Sequence, residues 1–361
     1  MEQLIDEVFD QLKDYRADEL LPTVKMTTDR IKKWVEQFNE GDRVFILTEL
    51  KHIFSKRYYS KVRVRDFLKV VVDKLTKDLG YKSVADFLRM TIFLDLQPNG
   101  KSQKVMLKLL SELLLEDYQF NIQDCGTTQK KHFVYIDDVL CTGNTLIQDI
   151  KEWSGRAYGT EKTNLQAIED KSAELICTYI FIHAKNYQKK KAEMRFKIGI
   201  EISTNHKMYK RMNIENNEGD TTSSLDFMFP LESLNQQIIS YKEKIVSQVD
   251  EYTKQNNYPN SPEDFYRIQG RPEQEKLFTS SKNRNKFEAI MLNKGIEILN
   301  TARVNIINIR ALGFSLKSHK NFGFGALCFT WRNIANNTPL VFWYSGGGFS
   351  PLFVRNQTNV L

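Results

Sequence analysis

The stretch Val134-Tyr-Ile-Asp-Asp-Val-Leu-Cys-Thr-Gly-Asn-Thr-Leu146 constrains the fold more than any other part of the chain. Hydrophobic residues at 133–136, between His132 and Asp137, read as a short strand buried on both faces, as inside a parallel sheet. Two adjacent carboxylates, Asp137 and Asp138, end that strand. Thr142, Gly143 and Thr145 then open a segment, LIQDIKEW, whose Leu146, Ile147, Ile150 and Trp153 fall at helical spacing. The loop therefore lies at a helix N-terminus, where backbone N–H groups and the helix dipole favour an anion. A buried strand followed by an ordinary capped helix gives the same pattern without a ligand, so the chemistry of the loop has to decide.

The rest of the chain sets the bounds. At 361 residues it is long enough for a full hydrophobic core and two or three domains or large subdomains. No apolar run approaches the roughly 18 to 20 residues that span a bilayer, and the acidic start MEQLIDEVFDQL lacks the continuous apolar stretch of a secretory signal. A soluble, cytoplasmic protein without a membrane partner is expected. Cys125, Cys141, Cys177 and Cys328 form no C-x-x-C pair, and the five histidines do not gather near them. Zinc and a disulfide framework are thus disfavoured. The net charge is +7, from 52 basic and 45 acidic residues. Between Lys185 and Arg211 nine basic residues face only Glu193 and Glu201, so that segment alone carries an excess equal to the whole. With Tyr187 and Tyr209 interleaved, it is a candidate surface for nucleic acid. A solvated helix face is the plainer alternative.

Helical periodicity dominates residues 1–88: Ile31, Trp34, Val35 and Phe38 share a face, as do Phe67, Val70, Val71 and Leu75. At Thr91 the pattern switches. TIFLDL reads as a strand, PNGKS as a turn, and KVMLKLLSELLLEDY as an apolar helix. After the opening motif, ELICTYIFIHA (174–184) and MRFKIGIEIS (194–203) read as strands separated by a basic helix-like segment, and NIENNEGDTTSS (213–224) as a loop. Strands alternating with helices argue for βαβ units and a mostly parallel sheet over an α/β core at 89–230. The remainder, 231–361, is an extension: one long helix from Leu234 to Tyr252, a helix around KFEAIMLNKG, and FGALCFTWRN with TPLVFWYS as paired strands.

Three features carry chemistry. The loop Cys141, Thr142, Gly143, Asn144, Thr145 offers successive N–H groups and two hydroxyls to a phosphate. Charge-assisted hydrogen bonds contribute roughly 1.5–3 kcal/mol each, so three or four hold a phosphate firmly. Carboxylates beside a phosphate repel it, and the conflict dissolves for a sugar phosphate, whose vicinal hydroxyls donate to Asp137 and Asp138. The second feature is QPNGKSQK at 97–104. It ends like a phosphate-binding G-K-S loop, yet Asp95 stands where the full pattern needs glycine. Gly100, Lys101 and Ser102 would still permit close backbone approach and meet negative charge; a solvated turn capped by Ser102 is the alternative. The third is the C-terminal run with Trp331, Arg332, Asn333, Asn336, Asn337 and Trp343, which suits stacking on a base or, equally, a structural hairpin.

VYIDDVLCTGNTL resembles the phosphoribosyl pyrophosphate (PRPP) motif of type I phosphoribosyltransferases, especially that of bacterial uracil phosphoribosyltransferases and pyrimidine-operon regulators. The resemblance implies a phosphoribosyltransferase-like, mostly parallel sheet with helices on both faces. It also implies that Asp137 and Asp138 hold the ribose hydroxyls, that residues 141–145 wrap the 5′-phosphate, that Gly100, Lys101 and Ser102 grip pyrophosphate, and that Mg²⁺ rides on the pyrophosphate near the two aspartates. One departure matters. Several purine-specific members carry an aspartate, acting as proton acceptor for the base, where this chain has Cys141, so that role is absent or moved. Cys141 as a nucleophile would need a base that no motif supplies.

Together with WVEQF in the helical N-terminus, the NGKSQK loop and the C-terminal run, the whole chain is similar to phosphoribosyltransferase-like proteins with a C-terminal extension found in bacterial conflict loci, including retron antiphage systems. That implies an effector or toxin acting on nucleotides or nucleic acid, held in check by a partner protein. Three functions remain open at this point: an enzyme transferring or cleaving at the anomeric carbon, a PRPP or nucleotide sensor without turnover, and a nucleic-acid-binding subunit that keeps the fold as scaffold.

Overall fold

The computed structural model describes residues 1–215 and 225–355, so most of the segment read as the 213–224 loop lies outside the described residues. The chain forms two compact units, one from Met1–Ser60 with Glu215–Leu361 and the other from Lys61–Ile214. These limits differ from the division at 88 and 230, because the helix Lys61–Asp78 belongs to the sheet-bearing unit and the first sixty residues share a core with the extension.

The Lys61–Ile214 unit holds a four-stranded parallel sheet in sequential order: β1 Thr91–Phe93, β2 His132–Leu140, β3 Glu174–His183 and β4 Lys207–Ile214. The two central strands are almost wholly buried, as a parallel sheet covered on both faces requires. Four helices matter here: α1 Lys61–Asp78, α2 Ser102–Tyr118, α3 Asn144–Ser154 and α4 Ala184–Lys197. On one face Leu146, Ile147, Ile150 and Trp153 of α3 and Tyr187 and Met194 of α4 pack with Tyr135, Cys177 and Tyr179 of the sheet, and Met208 of β4 joins them. Neighbouring residues of a strand point to opposite faces. Tyr209, next to Met208, accordingly donates to Asp78 at the end of α1 at 2.9 Å, which puts α1 on the other face, where it packs against α2.

Two strand assignments are corrected. MRFKIGIEIS is not a strand: it is shared between the end of α4 and a short helix, Ile200–Asn205, with Gly199 between them. Its alternating isoleucines mimic a strand, but Ile200 points to solvent and Ile202 inward. The fourth strand is KMYKRMNI, hidden in the sequence by its charges. Those charges suit an edge strand, which pairs on one side only.

In the other unit the N-terminal helices Glu2–Leu12, Thr28–Val35 and Glu40–Arg57 share a core with the extension. Trp34 donates to the Val341 carbonyl at 2.7 Å, and Phe54, Phe329, Phe342 and Phe353 form an aromatic cluster. The long helix appears as Gln236–Gln255 and the next as Ser281–Thr301. The expected C-terminal strand pair is only half present. Phe329–Thr330 pairs in parallel with Tyr58–Tyr59, whereas Leu340–Trp343 of TPLVFWYS is a fully buried helical turn after Pro339. Periodicity cannot separate a short apolar strand from a short buried helix. Among the described residues no helix is long and apolar enough to cross a membrane.

Candidate functional site

β2 does not stop at the carboxylates. It runs on to Leu140, so Asp137 and Asp138 sit inside the sheet, 6% and 4% exposed. Three donors reach Asp137: Ser102 Oγ at 2.7 Å and the Asp138 N–H at 2.9 Å on Oδ1, and Gln97 Nε2 at 2.9 Å on Oδ2. Gln97 Nε2 also lies 2.8 Å from the Tyr135 hydroxyl, which donates to Asp149 of α3 at 2.8 Å. Gln103 steadies this loop by accepting from the N–H groups of Leu96 and Gln97 at 2.8 and 2.9 Å. The segment 97–102 and the strand carboxylates are thus one buried polar network, with Ser102 joining the two motifs.

Burial, and after it the charge of neighbouring Asp138, pushes the Asp137 carboxyl up to about 7, against the pull of Ser102 and Gln97. Burial also raises Asp149. Asp137 therefore exchanges its proton near neutral pH. When charged, such a carboxylate can accept hydrogen bonds from hydroxyl donors.

Gly143 takes a left-handed conformation, φ +74°, immediately before α3 and provides no side-chain cap, leaving the first N–H groups of the helix for another acceptor. Cys141 and Gly143 are buried, Thr142 is half-buried, and Asn144 and Thr145 are exposed. With its side chain buried, Cys141 lacks the exposure a reactive thiol has. Helix α4 braces the loop. Asn186 Nδ2 donates to the Cys141 carbonyl at 2.9 Å, and a Cβ added to Gly143 would fall 2.7 Å from Lys190 Cγ. Gly100 adopts φ +88° with open space around it, so the turn itself, not a close neighbour, calls for glycine. Lys101 is exposed and makes no ion pair among the described residues.

The C-terminal candidates belong to the other unit and are engaged there. Trp331 is 2% exposed, leaving no face for a base to stack on. Arg332 pairs with Asp18 and Glu19 at 3.2 and 2.9 Å, and Asn333 closes a turn with Thr330. The basic segment is divided as well: α4 and Met208 lie on one face of the sheet, while Tyr209 and Arg211 point to the other. Sequence reasoning passed over Gln97, Tyr135, Asp149 and Asn186. Gln97 lies inside QPNGKSQK; Asn186 has no sequence signal, because its partner is a backbone carbonyl 45 residues away.

A parallel sheet carrying an acidic pair, followed by a threonine–glycine loop at a helix start, defines a phosphoribosyltransferase-like α/β protein. Residues 31–355 match the model of the PRTase-CE family, the phosphoribosyltransferases with a C-terminal extension, and the chain belongs to that family. No curated protein and no solved structure matches it.

Proposed function

We propose that the protein binds PRPP or a related ribose phosphate at the β2–α3 loop and transfers or cleaves at the anomeric carbon. The observation that carries this reading is the hydrogen bond from Ser102 to Asp137, which unites the glycine-lysine-serine turn with the acidic pair. The ribose hydroxyls would donate to the carboxylates, residues 141–145 would receive the 5′-phosphate, and Gly100 and Lys101 would face the pyrophosphate. Departure of pyrophosphate leaves a cationic, oxocarbenium-like sugar, and fixed negative charge nearby lowers the barrier to forming it.

Among the described residues no group of three or more His, Cys, Asp or Glu side chains gathers to hold a metal. Two carboxylates fit Mg²⁺ only as partial donors, with phosphate oxygens and water completing its shell, which is how Mg²⁺ commonly sits on phosphorylated ligands. When bound it would neutralise the leaving pyrophosphate. Asp137 and Asp138 would meet it directly or through water.

We further propose, from the resemblance noted in the sequence, that this activity belongs to an effector of a bacterial conflict system restrained by a partner protein. Incubation with PRPP and Mg²⁺, with and without candidate bases and nucleosides, should release pyrophosphate. Binding without release would make the protein a sensor, and absence of both would overturn the reading.

A further inference from the structure

Helix α4 braces the phosphate loop from one side and presents a different chemistry on the other. It carries Lys185, Lys189, Lys190, Lys191, Arg195 and Lys197 against a single carboxylate, Glu193. Lys190 and Lys197 both pair with Glu193, the former at 2.5 Å. Lys185, Lys189 and Arg195 are exposed and make no ion pair among the described residues. Positions 185, 189, 192 and 196 fall at steps of four, three and four, which aligns them along one side of the helix, and Arg195 borders that side, about 100° round from Phe196. Ala192 is exposed there, and Phe196 is 86% exposed. Lys185 and Lys189, four residues apart and exposed, repel each other, and Phe196 contributes nothing to the core.

We infer that this stripe, with Arg195 at its border, docks single-stranded nucleic acid, with phosphates on Lys185, Lys189 and Arg195 and one base stacked on Phe196. Its length, eleven residue steps from 185 to 196 or about 16 Å, accommodates a few nucleotides. A stacking ring beside a row of cations is how single strands are held without reading their sequence. A lipid surface fits less well, because insertion needs a continuous apolar face, and Phe196 stands alone: the other large apolar residues of α4, Tyr187 and Met194, are packed into the core. The inference stands apart from the ribose-phosphate reading, although Asn186 and Lys190 place the bound strand beside the same loop.

Fluorescence anisotropy with short labelled RNA and DNA single strands, at several salt concentrations, tests it. The expected log–log salt slope is about −2, from three phosphates at about −0.7 each. The triple variant Lys185→Glu, Lys189→Glu, Arg195→Glu should lose the binding, and Phe196→Ala should weaken it roughly tenfold while keeping the slope. A control, Lys82→Glu with Lys130→Glu and Lys131→Glu, makes the same charge change elsewhere on the unit and should bind as wild type does. Melting curves confirm that each variant is folded. No binding at low salt, equal loss in the control, an unchanged Phe196→Ala affinity, or capture by anionic vesicles in place of oligonucleotide would overturn the inference.

Discussion

Asp137→Asn removes one buried charge at nearly constant volume, and the structure sets the size of the effect. The folded protein pushes this carboxyl from 3.8 to about 7, by burial and then by Asp138. The native state therefore holds the proton more tightly than the unfolded chain, and the stability this group contributes is complete below the unfolded value and lost as pH rises from about 4 to about 7. Roughly three pH units at 1.4 kcal/mol each make the ionised form cost on the order of 4 kcal/mol at pH 8. Asparagine escapes that cost, but its NH₂ turns a donor toward Ser102 or Gln97, and one such mismatch costs about 1–3 kcal/mol. The variant should therefore be about 1–3 kcal/mol more stable than wild type at pH 8, with no such gain at pH 4. Hydrogen exchange of peptides covering 132–154, followed as urea rises at each pH, reads the local stability. A variant less stable at pH 8, or a difference independent of pH, would refute the reasoning.

Three other outcomes are expected. Calorimetry of PRPP with Mg²⁺ near pH 7, in buffers of different ionisation enthalpy, should show proton release, because hydroxyl donors and a cation both favour the charged Asp137; proton-neutral binding would count against Asp137 as the acceptor. Ser102→Ala removes the 2.7 Å donor, raises Asp137 further, and should weaken PRPP binding roughly tenfold while moving its pH dependence upward, as titrations at pH 6, 7 and 8 would reveal. Trp331→Ala should cost about 3–5 kcal/mol of stability in urea unfolding yet leave the ligand dissociation constant of the folded protein unchanged; a change in that constant would restore Trp331 as a contact residue.

The strand–loop–helix at 132–154 was legible because its signals are local: a buried apolar run, a glycine before a helix, and apolar residues at helical spacing. Its setting was less so. The depth of Asp137 comes from β2 continuing to Leu140, and its donors come from positions 35 and 40 residues earlier, which periodicity does not report. KMYKRMNI carries no strand signal because an edge strand tolerates charge, and TPLVFWYS reads equally as strand or helix because four buried apolar residues fit either structure. Trp331, Arg332 and Asn333 differ again. Their side chains suit nucleotide recognition, but they are taken up by core packing, an ion pair and a turn.

On the proposed reading Asp137 and Asp138 face a ribose phosphate. Calorimetric titration of PRPP with Mg²⁺ into wild type and into the double variant Asp137→Asn, Asp138→Asn tests it most directly, with a melt of each protein to confirm folding. Wild type should bind saturably and melt at a higher temperature with ligand, and the double variant, folded and at least as stable at neutral pH, should show neither. No binding by wild type, or equal binding by the double variant, would remove Asp137 and Asp138 from a ribose-phosphate site.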